Sequence, residues 1–173
     1  HAIDAQGNVY VSGNTSSVDY PTTAGAFRTV RTNATNDGFV TKLRANGQTI
    51  LASTWFGGSN GENLVSDVAL APTGEVVISG ETNTTAGFPL VNANQTTFQG
   101  GIRDGFVAKL NATLTSAIFS TYFGGNARDV VRDVAVDTAG TIHIVGIGGA
   151  SITRSARSAT GGKRGSRRSQ AVR

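Results

Sequence analysis

The chain has 173 residues, 23 of them glycine, with 38 % apolar and 15 % charged residues and no cysteine or methionine. Without cysteine there is no disulfide framework, thiolate catalysis or cysteine-based zinc site, and no apolar run reaches the ~18 residues of a spanning helix. The net charge of +4 sits in the last 20 residues, which hold Arg154, Arg157, Lys163, Arg164, Arg167, Arg168 and Arg173. Eight cations then face eleven acids in the remainder, which excludes reading the whole chain as a basic nucleic-acid binder.

In chain order, Asp4-Ala5-Gln6-Gly7 fits a type I turn whose glycine takes a positive φ, a tight hairpin. A strand follows over Asn8 to Gly13, with Val9 and Val11 on one face. A Thr-, Ser- and Asn-rich stretch from Asn14 to Asn36 reads as a long loop. The next strand sets Phe39, Thr41 and Leu43 against Val40 and Lys42, and Asn46-Gly47 turns into a strand from Ile50 to Phe56.

The same elements then return. Asp37-Gly38-Phe39-Val40-Thr41-Lys42-Leu43 recurs as Asp104-Gly105-Phe106-Val107-Ala108-Lys109-Leu110, and Ser53-Thr54-Trp55-Phe56-Gly57-Gly58 as Ser120-Thr121-Tyr122-Phe123-Gly124-Gly125, both 67 positions on. The Asn8–Gly13 segment recurs twice, as Glu75–Gly80 and Thr141–Gly146. Val68 and Leu70, and later Val134 and Val136, mark a strand before each of these. Each unit is therefore expected to be a four-stranded antiparallel meander with one long loop. Such a sheet is apolar on both faces and must stack on its copies, the arrangement of a β-propeller. The expected division is 1–58 for the first blade, 59–125 for the second, 126–146 for half of a third, and 147–173 for a basic low-complexity tail. Residues are expected to precede His1.

Taken together, Asp19-Tyr20-Pro21-Thr22-Thr23-Ala24-Gly25-Ala26-Phe27, the Asp-Gly-Phe-Val block, the Trp-Phe-Gly-Gly block and Asp4–Gly13 resemble the SBBP (β-propeller) repeat over residues 1 to about 146. That resemblance implies an all-β, incomplete propeller from a large secreted or surface-displayed bacterial protein. It implies no activity and no cofactor. The second copy departs at Phe88-Pro89-Leu90-Val91, where Pro-Thr-Thr is lost. The tail after Gly146 has three open readings: a shifted reading frame, a disordered solvated segment, or an arm for polyanions that could hold phosphates without reading bases.

The acids recur in pairs: Asp37 with Asp104, Asp67 with Asp133, Asp4 with Asp137. A glycosidase needs two carboxylates roughly 5 to 9.5 Å apart, but a catalytic acid is needed once, and residues repeated in every unit serve the unit. Asp37 and Asp104, each before a glycine, suit Asx-turns. His143 is the one internal histidine, so no two-histidine metal site forms without His1, and it suits a strand residue in the slot of Tyr10 and Val77. Trp55 offers either a carbohydrate-stacking platform or inter-sheet packing, with packing favoured. Asn60, Glu62, Asn63 and Asp67 offer oxygens to calcium, as Asn126, Asp129 and Asp133 do in the third copy, but no EF-hand or nonapeptide pattern appears. Gly57-Gly58 closes a strand and is no phosphate loop. No catalytic, cofactor or metal residue is assigned. The expected function is a non-catalytic scaffold or adhesion module whose loops, Asn14 to Asn36 and Thr82 to Arg103, meet a protein or carbohydrate partner. The alternative is part of a propeller hydrolase or carbohydrate-binding domain with its site in other blades.

Overall fold

The computed structural model describes residues 1–32 and 35–148 and the backbone of 153–156. Eleven strands and no helix are found among them: β1 Ala2–Ile3, β2 Val9–Thr15, β3 Asp37–Leu43, β4 Ile50–Phe56, β5 Asn63–Leu70, β6 Val76–Thr82, β7 Asp104–Leu110, β8 Ala117–Phe123, β9 Val130–Val136, β10 Ile142–Ile147 and β11 Thr153–Ala156. They form three antiparallel sheets in the orders β1-β2-β3-β4, β5-β6-β7-β8 and β11-β10-β9. The first two sheets are the expected meanders. In the third, β11 pairs Thr153 with Val145 and Ala156 with Ile142, adding a strand inside the segment read as a tail. Residues 149–152 and 157–173, where most of the basic residues and the tail readings fall, lie outside the described residues.

The hairpins form for the reasons their residues give. Gly7, Gly74 and Gly140 take φ of 80°, 91° and 80°, and the Asp4 carboxylate accepts the Gln6 and Asn8 amides at 3.0 and 2.9 Å. Burial works against the Asp4 charge, but Asn8 and the Lys42 ammonium at 3.1 Å bring its carboxyl down to about 2. The equivalent lysine, Lys109, reaches Glu75 at 3.4 Å.

One feature escaped the period-two pattern. In β5 the register slips between Val65 and Asp67, leaving Ser66 bulged, and in β9 Arg132 is skipped between Val131 and Asp133. Opposite these bulges stand Gly80 and Gly146, where an added Cβ would lie 1.9 Å from the Leu64 and Val130 carbonyl oxygens. The glycine that ends the second-strand motif is thus required in the second and third units, where the Leu64 and Val130 carbonyls cross it, whereas Gly13 faces the Phe39 ring. β5 accordingly begins at Asn63, ahead of the Val68–Leu70 alternation.

Side-chain alternation sends each sheet's two faces into different cores. Val76 and Ile78 of β6, with Phe106, Ala108 and Leu110 of β7, pack against Tyr10, Val40, Ala52 and Phe56 of the first sheet. Val77 and Val107, on the opposite face, pack against Val131, Val134, Ile142 and Ile144 of the third. Every residue of β6 and β7 is buried. Among the described residues nothing covers the outer face of the third sheet: Val145 is 54 % exposed, against 0 % for Ser79, its counterpart in β6.

Candidate functional site

The long loops decide what the surface can offer, and they are docked. In the first unit the Thr23 N–H donates to Ser53 O at 3.1 Å, the Trp55 N–H to Arg28 O at 3.1 Å, and the Arg28 N–H to Thr54 Oγ1 at 2.9 Å. The second unit repeats all three positions: Val91 exchanges both backbone bonds with Ser120, Tyr122 N–H donates to Gln95 O at 3.3 Å, and Gln95 N–H to Thr121 Oγ1 at 2.9 Å. Each loop lies along the outer strand of its sheet, satisfying an edge that would otherwise invite pairing with another chain. The departure at Phe88-Pro89-Leu90-Val91 leaves this docking intact.

An aromatic cap accompanies it. Tyr20 sits 4.2 Å from Phe39 and 5.5 Å edge-on to Trp55; Phe88 sits 5.3 Å from Phe106 and 4.8 Å from Tyr122. Trp55 is 1 % exposed, so its ring is no platform for a sugar. It packs beneath its own loop and not between two sheets. Beside the second cap, Thr85, Gly87, Phe88, Leu90, Thr96, Thr97, Phe98 and Tyr122 line a cavity of about 300 Å³.

The acids are engaged structurally. Asp37 and Asp104, 1 % and 0 % exposed, accept not from the residues after them, as Asx-turns would, but from Thr32 N–H at 3.3 Å and Gln99 N–H at 2.8 Å, five residues back. They tie the end of each loop to the strand it enters. Asp37 Oδ1 also accepts from Asn63 Nδ2 of the second sheet at 2.8 Å, while Asn63 Oδ1 accepts the Thr82 and Thr84 hydroxyls at 2.8 and 2.9 Å. Asn63 thereby joins two sheets and a loop while itself fully buried.

Asp67 Oδ2 accepts Val134 N–H of the third sheet at 3.0 Å. A hydrogen bond with Asp67, then desolvation and the Asp67 charge, push the Asp133 carboxyl up. Asp137 Oδ2 lies 3.1 Å from His143 Nε2 on the exposed hairpin, and that bond, with the Thr141 amide, holds the Asp137 carboxyl down. His143 is exposed where Tyr10 and Val77 are buried, because no described residue packs on that face of the third sheet.

The oxygens weighed against calcium binding are likewise committed. Asn60 Oδ1 accepts the Thr85 and Ala86 amides at 3.1 and 2.8 Å, and Glu62 pairs with Arg103 and accepts from Asn36 Nδ2 at 3.2 Å. Among the described residues no three His, Cys, Asp or Glu side chains converge as metal ligands would.

One polar seam crosses all three sheets at a single end. Asn36 of the first unit bonds Glu62 of the second, Glu62 pairs with Arg103, Arg103 Nε lies 4.0 Å from Glu81, and Arg128 of the third unit grips Glu81 through bonds of 3.0 to 3.2 Å. Sequence reasoning passed over this seam because Asn36, Arg103 and Arg128 differ in type between copies.

Comparison with protein-family models gives no match, and comparison with curated proteins gives no similar sequence.

Proposed function

We propose that the chain is a non-catalytic scaffold or interaction module built from stacked propeller blades. The reading follows the resemblance of residues 1 to about 146 to SBBP repeats, with the secreted or cell-surface bacterial setting that resemblance implies. The observation that carries it is the burial of every residue of β6 and β7 between two neighbouring sheets, while the third sheet's outer face stays open. Further blades on the open faces are the natural partners of such a stack. A ligand would meet the exposed loop positions, which include Val18, Val30 and Ile102, at 81 %, 69 % and 70 % exposure, on a rigid frame. The recurrence of Asp37, Asp67 and Asp137 partners as structural groups argues for scaffold over enzyme. No helix of the described residues is long and apolar enough to cross a membrane.

A second reading, a carbohydrate-binding module, draws on the cavity beside Phe88, Phe98 and Tyr122, whose aromatic floor and threonine rim suit a neutral polyol. The test of the scaffold reading is the coding sequence on either side of this chain. Further units carrying Asp-Gly-Phe-Val and Phe-Gly-Gly blocks, with the same polar positions in each, are expected. A single unit with its own cluster of acids, histidine or arginine would turn the assignment toward an enzyme.

A further inference from the structure

The two seams between sheets differ at a fully buried position. In the first, Asn63 Nδ2 donates to Asp37 Oδ1 at 2.8 Å. The residue matching Asn63 in the third unit is Asp129, so in the second seam a carboxylate faces Asp104 where the first has an amide. Both are buried, Asp104 at 0 % and Asp129 at 3 % exposure. They converge: a methyl group built on Gly124 would sit 2.9 Å from Asp104 Oδ1 and 3.0 Å from Asp129 Oδ2. Asp104 Oδ1, the oxygen that in Asp37 receives the amide proton, makes no hydrogen bond.

We propose that Asp104 and Asp129 share one bound proton across the seam between the second and third sheets, doing there what the Asn63 amide does in the seam before it. The proton comes from water and is carried by one carboxyl or the other, leaving one negative charge on the pair. Burial of two like charges without such a proton is the costlier state.

The surrounding groups offer no other counter-charge. Arg103 pairs with Glu62, and its buried Nη1 makes no hydrogen bond, so it reaches neither carboxylate. Arg128 is committed to Glu81. Tyr122 donates its hydroxyl proton to Thr84 O at 2.8 Å, and its phenol is pushed up to about 12 by desolvation and by the Asp104 charge. A calcium ion does not suit the place. Asp104 Oδ2 already accepts from Gln99 N–H and Gln95 Nε2, and Asp129 Oδ2 from Gly125 N–H. One oxygen from each carboxylate remains, against the roughly six to eight that calcium takes.

The sign of the pH effect follows. Desolvation first, then the Asp129 charge, raise the Asp104 carboxyl above its ordinary value. A carboxyl raised on folding stabilises fully below the unfolded value of about 3.9 and loses that contribution as pH climbs through the folded value. The carboxyls held low, Asp4, Glu62, Glu75 and Asp137, act oppositely and only as pH falls below about 4. Above about pH 4.5 the proton of this pair and that of Asp133, whose carboxyl is likewise raised beside Asp67, are left, and the Asp133 contribution is common to the parent and both variants.

The test is the melting temperature of the full chain between about pH 4.5 and about pH 8, for the parent, Asp129→Asn and Asn63→Asp, each with calcium and with a chelator. The parent is expected to lose stability as pH rises, more steeply than Asp129→Asn, which should also melt higher than the parent at the alkaline end. Asn63→Asp should steepen the slope by adding a second pair. Groups common to all three, Asp133 among them, cancel in the differences. The infrared difference between the parent and Asp129→Asn at about pH 5 should show a protonated-carboxyl band, with the contribution of Asp133 beside Asp67 common to both, a readout independent of how the variants fold. Equal slopes in parent and Asp129→Asn, absence of that band, or a melting temperature raised by calcium and lowered by the chelator would each overturn the proposal.

Discussion

Replacing Phe56 by alanine is expected to lower the free energy of unfolding by about 3 to 5 kcal/mol, the range for truncating a buried aromatic ring. The ring is 0 % exposed and reaches from the last residue of β4 into the core shared with the second sheet. It stacks on Phe106 at 5.6 Å, meets Phe88 edge-on at 5.7 Å and lies 6.2 Å from Phe27 of its own loop. Removing it opens a void against three rings from two units, and close-packed neighbours fill such a void only in part. Urea unfolding midpoints measure the effect. Ile118→Ala, on the exposed side of β8, serves as the control and should change stability by less than about 1 kcal/mol.

The second large effect is polar. Asn63→Leu should cost about 3 to 5 kcal/mol, comparable to breaking a buried charged pair by removing one partner. The loss of Nδ2 takes a donor from Asp37 Oδ1 inside the seam, and the loss of Oδ1 strands the Thr84 hydroxyl and leaves the Thr82 hydroxyl only the Glu62 carbonyl, with Asp37, Asn63, Thr82 and Thr84 all at 0 to 1 % exposure. Leucine matches the volume closely, so the loss reports hydrogen bonding more than packing. Denaturant titration of the variant against the parent checks it, and a change below about 1 kcal/mol would show that the seam does not depend on this side chain.

Much of the fold was legible because it is local. The alternation of Val76 and Ile78 with Val77, the Asn46-Gly47 turn and the Asp4 and Asp137 hairpins depend on residues within a few positions of one another. The 67-residue spacing then placed the sheets in order. What stayed hidden depends on residues far apart in the chain or on broken patterns. The bulges at Ser66 and Arg132 interrupt the period-two signal, so the first half of β5 read as connection. The docking of Arg28 and Gln95 onto β4 and β8 is made largely by backbone, and backbone carries no residue signature. Asp37 and Asp104 looked like local turn formers, whereas their partners lie five residues upstream and, for Asp37, on the next sheet. The contrast between Asn63 and Asp129 was visible as letters, but its meaning appears only when both are seen facing the matching aspartate.

The most direct measurement is the cooperativity of residues 59–125 made alone, followed by urea unfolding. The second sheet hides one face on Phe56 and Tyr10 of its predecessor and the other on Val131, Val134 and Ile142 of its successor, so deprived of both it should show no cooperative transition, while the 173-residue chain does. A sharp, fully reversible transition of that single unit, with the stability of the intact chain, would contradict the account.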